Sequence, residues 1–487
     1  ISLAMKRGSF FNRASSSSSS SSTGMVAAAA PIEFPDVPTT IRSNSSSSSR
    51  VNVIVLVHGI MGSHKELMYL QQSLMVRNGT TKSDDDDENR DIVWIVHAAQ
   101  SNDGNTLDGI EAGGKRLAQE VNDLLDHVVR QVSVQRSSTD DDDNNDDKPD
   151  LPSITLSMIS FSLGGLYSRY AVSKIDWEIS SQSRNGNSNN GKDVSIHPHL
   201  FITLASPHLG INKYQYFSTL PDIFKKFGAK SMKETGQDLY LNTPLLQSMC
   251  FDPIFTTPLS RFTKRMAYGN AFDIDFPVPT ATAVFLGHDD GGGGDGGDDD
   301  DDHLTHQLLP CTANSTIKRK NATSQQEDDT KSDNKHRAEF STIRFQTEAR
   351  TRNENENDDD AATTETPIES RMAKALDSLG WTKILIDLRH ELPQIGFQKR
   401  TSSMNLTKWF LEEQEQCKNK YSSNDLIRAF TASSRKQQRK SSITVPIAHS
   451  WLVASSKNPF YQWFYQRGRG IADELANEIV HEVLHSQ

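Results

Sequence analysis

The sequence has few cysteines and no long hydrophobic run. Its 487 residues include only three cysteines, Cys250, Cys311 and Cys417, which lie far apart. An odd number at such distances predicts neither a disulfide framework nor a cysteine metal site, and it favours a reducing compartment. No apolar run approaches the roughly 18 residues that a membrane-spanning helix requires. Nothing in the sequence implies a metal or an organic cofactor.

The sequence also has a low fraction of apolar residues and a negative net charge. The hydrophobic fraction is 35%, whereas globular domains have about 45–50%. The formal charge is −11, and runs of aspartate supply more than this excess, at 84–87, 140–143, 146–147, 289–290 and 295–302. These runs have the composition of solvated loops. The charge therefore indicates no nucleic-acid partner.

Composition divides the chain into four parts. Residues 1–50 are Ser/Ala-rich and are predicted to be a disordered leader. Residues 51–287 are predicted to form an α/β core, with a helical cap at about 211–262. The polar segment 288–368 is predicted to be a disordered insertion. Residues 369–487 would complete the same domain.

Apolar runs alternate with helical patterns in the predicted core. Residues 51–57, 92–96, 154–159 and 200–204 have the β-branched, apolar composition of buried strands. Amphipathic stretches separate them, at 67–79, 113–129 and 163–172. This alternation predicts a mostly parallel sheet covered on both faces.

Ser162 lies between a predicted strand and a predicted helix, with almost no room for a loop. The stretch Ser160-Phe161-Ser162-Leu163-Gly164 resembles a nucleophile elbow, in which the central residue is exposed on a strained turn. The residues two before and two after the serine must be small. Gly164 satisfies this rule, and Ser160 replaces the usual first glycine. We therefore predict Ser162 to be a nucleophile.

A serine nucleophile requires a base and a carboxylate that orients it. In hydrolases of this architecture the chain order is serine, acid, histidine. Asp273 and His449 follow predicted strands in that order, so we predict them to be the acid and the base. Asp275 is the main alternative for the acid, and Asp387 is a further alternative.

Backbone amides must also stabilise the oxyanion of the tetrahedral intermediate. The His58-Gly59 pair follows the first strong strand, so the N–H groups of Ile60 and Leu163 are the predicted donors. We predict that the His58 side chain is structural. His208, which follows Ser-Pro, is predicted to be a packed loop residue.

Seven stretches together resemble the serine esterase family of lipase-like α/β-hydrolases. They are VLVHGIMG (55–62), NTLDGIEAGGKRLAQEV (105–121), ISFSLGGLYSRYAV (159–172), TLASPHLGI (203–211), TGQDLYLNTPLL (235–246), MAYGNAFDIDFPVPT (266–280) and AHSWLVAS (448–455). The resemblance implies an α/β-hydrolase fold and hydrolysis of carboxylic esters, with acylglycerols or phospholipids as substrates. It carries over Ser162 as nucleophile, His449 as base and Asp273 as acid.

The sequence departs from the family pattern at the elbow and in the acid loop. The family elbow has Gly or Ala and then His before the serine, where this chain has Ser160 and Phe161. The acid loop is one residue shorter between Asn270 and Pro277, which keeps Asp275 open as the acid.

We expect a monomer in the cytoplasm, or at the surface of internal membranes or lipid droplets. Two alternatives remain open at this stage. One is a catalytically inactive hydrolase fold that binds lipid or acts as a scaffold. The other retains the triad as an acyltransferase or a protein thioesterase.

Overall fold

A computed structural model describes the chain in separate ranges. They are residues 32–35, 50–80, 92–137, 153–180, 193–211, 231–271, 275, 278–285, 316–320, 340–347, 349, 367–388, 394–395, 443–444, 448–456 and 465–485. Residues Phe34–Gln487 form one compact unit, which holds every element below. Residues Ile1–Glu33 form the second unit, and most of the predicted leader lies outside the described residues.

The strands of the described residues form one large sheet and one small one. Their bounds are β1 Arg50–Val57, β2 Ile92–Ala98, β3 Ser153–Phe161, β4 Glu178–Ser180, β5 Asp193–Leu204, β6 Lys264–Asn270, β7 Thr316–Lys320, β8 Phe340–Gln346, β9 Thr382–Asp387, β10 Gln394–Ile395 and β11 Ile443–Thr444. The large sheet has the order β2-β1-β3-β5-β6-β9-β8-β7, with β4 paired to β5. The six strands from β2 to β9 in this order are parallel, and β8 and β7 are antiparallel.

Helices connect the strands. Their bounds are α1 Met68–Thr80, α2 Ile110–Ser137, α3 Gly164–Ala171, α4 Lys233–Leu239, α5 Leu245–Phe251, α6 Pro253–Ser260, α7 Thr280–Ala283, α8 Ile368–Asp377 and α9 Arg469–His485, with 3-10 turns at His64–Leu67, His449–Trp451 and Gln466–Gly468. In α2, apolar residues recur at helical spacing and are buried; they include Leu117, Val121, Leu124 and Val128. None of the described helices is long and apolar enough to cross a membrane.

The order of the strands reverses beside β1. The chain passes from β1 to β2 on one side and then crosses to β3 on the other. Ligands of open parallel sheets bind at the carboxyl ends of strands where the order reverses. The ends of β1 and β3, at Val57 and Phe161, therefore mark the expected position of a site.

Two predicted features differ from the structure. Within the segment 288–368, predicted to be disordered, β7 and β8 extend the sheet beyond β9. The polar composition of the whole segment concealed these two short strands, and most of its other residues lie outside the described ranges. The strand predicted at 443–447, before His449, is described at Ile443–Thr444, where it pairs with β10 in the small sheet; residues 445–447 lie outside the described ranges. Among the described residues, the strand nearest before His449 therefore belongs to the small sheet and not to the main sheet.

Candidate active site

Ser162 occupies a strained turn between β3 and α3. Its backbone has a φ of 54°, in the left-handed region that residues with a β-carbon rarely adopt. The N–H of Ser162 donates to Leu204 O at 2.8 Å, and the N–H of Gly165 donates to Ser162 O at 3.1 Å. The sheet and the first turn of the helix thus hold the residue in this conformation, as in a nucleophile elbow.

Two glycines allow the ends of β1 and β3 to approach each other. A β-carbon on Gly164 would lie 2.5 Å from Val57 O, and one on Gly59 would lie 2.7 Å from the β-carbon of Ser162. Neither contact is sterically allowed without movement of the backbone. The loop after β1 is therefore packed directly against the serine.

The structure accounts for both unusual elbow residues. The Ser160 hydroxyl is buried and lies 2.6 Å from the hydroxyl of Ser168 on α3, so its extra polar atom has a partner. The Phe161 ring is 4.7 Å from the His449 ring, centroid to centroid. Phenylalanine at this position therefore packs against the predicted base.

His449 contacts a buried carboxylate. Its Nδ1 atom lies 2.8 Å from Oδ1 of Asp275, whose side chain is completely buried. The other carboxylate oxygen of Asp275 accepts a hydrogen bond of 2.7 Å from Nδ2 of Asn270, at the end of β6. The strand β6 thus orients the carboxylate, and the carboxylate orients the imidazole.

Asp275, the alternative acid of the sequence analysis, is the one that the structure brings to His449. Asp273, the first choice, lies outside the described residues. Asp387, the further alternative, is buried at the end of β9, where it pairs with Ser341 of β8.

The pKa of His449 is raised above its usual value. Burial alone would lower it, because a low dielectric disfavours the cation. The charge of Asp275, its hydrogen bond and the charge of Glu66 outweigh burial. The histidine is thereby made a stronger base than an isolated imidazole.

Glu66 is a buried carboxylate that the sequence analysis missed. It belongs to the 3-10 turn His64–Leu67, and its Oε1 accepts a hydrogen bond of 3.3 Å from Ser455, in the loop after His449. A β-carbon on Gly62 would lie 2.4 Å from Glu66 Oε2. Glu66 therefore lies between the loop after β1 and the loop that carries His449.

A single carboxylate holds both ends of the loop after β1. Asp103 Oδ1 lies 3.0 Å from His58 Nε2 and accepts a 3.0 Å hydrogen bond from the His64 N–H. Its Oδ2 lies 2.6 Å from His64 Nδ1. Burial raises the pKa of Asp103, but the hydrogen bonds of the two histidines outweigh it, so the net shift is downward.

The middle of the same loop has its own support. The N–H of Met61, whose φ is 52°, donates to Thr106 Oγ1 at 2.8 Å. Ile60, the predicted oxyanion donor, lies between the positions held by Asp103 and Thr106. The other predicted donor, Leu163, immediately precedes α3, where N–H groups lack intrahelical partners.

His208 has a structural environment. It is completely buried, with Nε2 3.0 Å from Thr203 Oγ1 and Nδ1 3.4 Å from Arg169. Burial and the nearby charges of Arg169 and Lys383 hold its pKa well below the usual value. The predicted packed role agrees with this geometry.

A parallel sheet with helices on both faces and a left-handed serine between β3 and α3 defines an α/β-hydrolase. Residues 47–285 match the family described as "Putative serine esterase (DUF676)". This match confirms the resemblance predicted from the sequence.

Two curated yeast proteins are similar to about half of the chain. "Putative lipase ROG1" of Saccharomyces cerevisiae is 26% identical over 261 residues, which are 50% of this chain and 30% of that protein. "Putative lipase C4A8.10" of Schizosaccharomyces pombe is 26% identical over 252 residues, or 49% of this chain and 27% of that protein. The matched part spans less than a third of each relative.

Solved lipase structures are less similar to this chain than the two yeast proteins are in sequence. Phospholipase PlaB from Legionella pneumophila aligns with a TM-score of 0.27 at 13% identity, over 48% of this chain and 42% of that one. The propeptide form of Bacillus licheniformis lipase BlEst2 aligns with a TM-score of 0.24 at 15% identity, over 50% and 38%. At such low scores, the fold assignment rests on the sheet topology and the elbow.

Proposed function

We propose that the chain is a serine hydrolase that cleaves acyl esters of lipids. The contact of His449 with the buried Asp275 carries the proposal, because it supplies an oriented base in the chain order of α/β-hydrolases. The strained Ser162 at the carboxyl edge of the same sheet supports it. The serine esterase family match and the lipase names of the two relatives support the substrate class.

The proposed reaction has two halves. His449 Nε2 takes the proton of the Ser162 hydroxyl, and the serine oxygen attacks the ester carbonyl. The N–H groups of Ile60 and Leu163 stabilise the oxyanion, while Asp275 stabilises the imidazolium. The imidazolium returns the proton to the leaving alcohol, which leaves an acyl-enzyme. Water, deprotonated by the same histidine, then releases the fatty acid and restores the serine.

The helices α4, α5 and α6 are candidates for the wall of an acyl pocket. They fall within the segment 211–262 predicted to be a cap, of which residues 212–230 lie outside the described ranges. α4 approaches the loop before α2, where Asp238 Oδ2 accepts a 2.8 Å hydrogen bond from the Ile110 N–H. We propose that this segment contributes the acyl-binding wall.

Active-site labelling tests the nucleophile. A fluorophosphonate probe should label the wild type and the control Ser260→Ala, which removes a surface hydroxyl on α6. It should not label Ser162→Ala, whose turnover of a short-chain ester should fall about 10³-fold or more. Equal labelling of wild type and Ser162→Ala would refute the proposal.

A further inference from the structure

The helix α1 has one covered face and one outward face. Leu70 and Leu74 are completely buried in the core, and the hydroxyl of Ser73 donates to Asp473 of α9 at 2.6 Å. Met68, Gln72, Met75 and Val76 are exposed. These positions are spaced i, i+4, i+7 and i+8, so they share one side of the helix over about 12 Å.

The outward face is unusually apolar. The exposed fractions are 49% for Met68, 59% for Met75 and 56% for Val76, and Met61 in the loop before α1 is 70% exposed. In the part of the chain that the structure describes, these are four of the six large apolar side chains that are exposed. Surface apolar residues are usually scattered singly, and a cluster marks an interaction site.

None of the exposed side chains between residues 61 and 77 is acidic. Between residues 61 and 77, the only carboxylate is that of Glu66, which is buried, and the exposed positions are Met61, Lys65, Met68, Gln72, Met75 and Val76. The whole chain has 63 acidic residues against 52 basic ones. These six side chains therefore present no carboxylate to an anionic headgroup layer, and Lys65 can contact lipid phosphates.

The surface is continuous with the candidate active site. Met61 directly follows Ile60, a proposed oxyanion donor, and the single 3-10 turn His64–Leu67 connects this loop to α1. Such a turn is about 8 Å long. A surface that docks on the outward face of α1 would thus lie beside the loop that packs against Ser162.

We propose that the exposed positions Met61, Lys65, Met68, Gln72, Met75 and Val76, the methionine face, dock the protein on a lipid surface. This inference rests on the proposed function, because a lipid substrate must reach Ser162 from a membrane or droplet. Methionine suits insertion among acyl chains, since its side chain is unbranched and flexible. Docking through this face would present the loop after β1 to the lipid.

Vesicle flotation tests the docking without catalysis. All proteins carry Ser162→Ala, so that vesicles of phosphatidylcholine, alone or with phosphatidylserine, stay intact. Met68→Ser/Met75→Ser should lower the vesicle partition coefficient about tenfold or more, because two apolar side chains no longer enter the lipid. The control is Gln119→Ser, which shortens an exposed side chain on α2, outside the proposed acyl-binding wall; it should bind like its parent.

High salt and thermal unfolding complete the test. Apolar docking should persist in high salt, which screens headgroup charge, and the double variant should unfold at the parent temperature. Failure of the parent to bind vesicles, equal binding by the double variant, equal loss in Gln119→Ser, or binding abolished by salt would each overturn the inference. Vesicle binding by the Ser162→Ala parent, together with a wild-type protein that fluorophosphonate does not label, would instead refute the proposed function alone.

Discussion

At the residue scale, the proposed chemistry depends on which carboxylate faces His449. Asp273 and Asp275 are two positions apart in one short loop, so sequence spacing alone could not choose between them. The structure describes Asp275, whose carboxylate contacts His449 and accepts a 2.7 Å hydrogen bond from the side chain of Asn270. A contact between two loops of this kind has no local sequence signal.

Paired substitutions of the two aspartates test this assignment. In Asp275→Asn the imidazole loses the carboxylate that orients it and stabilises its cation, so kcat should fall about 10²–10⁴-fold. Asp273→Asn should retain kcat within about tenfold of wild type. Steady-state kinetics with a short-chain ester gives both values, and a larger loss in Asp273→Asn would reverse the assignment.

Glu66 should control the pH dependence of the reaction. The base must be neutral to accept a proton, so kcat/KM should fall as the pH drops through the pKa of His449. The charge of Glu66 contributes to raising that pKa. Glu66→Gln should therefore move the acid limb of the kcat/KM profile to lower pH.

The control for this measurement is Glu111→Gln. Glu111 is exposed and pairs with Lys115 one turn along α2, at 2.7 Å, and it has no part in the raised pKa of His449. Its acid limb should coincide with that of the wild type. An unmoved limb in Glu66→Gln would show that the charge of Glu66 does not reach the histidine.

At the element scale, the sequence predicted regular structure better than the loops that join it. Strand β1 and helix α2 were evident, because a β-branched run and a helical apolar stripe are local patterns. Gly164 also indicated a tight turn at the elbow, since only small residues fit two positions after the serine. The contacts of Asp103 that hold the loop after β1 could not be predicted, because Asp103 lies some 40 positions away from that loop in the sequence.

Removing the Asp103 carboxylate should loosen that loop. Asp103 contacts both His58 and His64, so Asp103→Asn should leave Ile60 and its N–H less well positioned for the oxyanion. We expect a fall in kcat of about tenfold or more with a smaller change in KM, as for loss of an interaction made in the transition state.

Asp108→Asn is the matched control for this prediction. Asp108 belongs to the same connection between β2 and α2, but its carboxylate pairs with Arg116 at 2.6 Å near the surface. Kinetics of this variant should stay close to wild type, because exposed ion pairs contribute little. Equal losses in both variants would indicate a general effect of the connection and would contradict a specific role of Asp103.

At the scale of the whole molecule, α9 connects elements that are distant in sequence. Its Asp473 accepts hydrogen bonds from Tyr69 and Ser73 of α1. One turn further on, Glu478 pairs with Arg344 of β8 and accepts a 2.6 Å hydrogen bond from Tyr268 of β6. The C-terminal helix therefore joins α1 to the far side of the sheet, which no local pattern in the sequence predicted.

Glu478 should make stability depend on pH. Burial raises the pKa of Glu478, but its hydrogen bond and ion pair with Arg344 outweigh this, so the net shift is downward from 4.5. A carboxyl whose pKa is lower in the folded state stabilises the fold above its unfolded pKa. That stabilisation is lost as the pH falls through the folded value. Urea unfolding of the wild type should show this loss on the acid side of pH 4.5.

The variant Glu478→Gln should be less stable than wild type by about 2–4 kcal/mol at pH 7, because it leaves the half-buried guanidinium of Arg344 without its carboxylate. The stability difference from wild type should then shrink as the pH falls below 4.5. Glu482→Gln, which breaks the more exposed pair with Lys264, should cost about 1 kcal/mol or less. A stability difference for Glu478→Gln that stays constant with pH would contradict this assignment, because the lowered pKa requires the two curves to converge in acid.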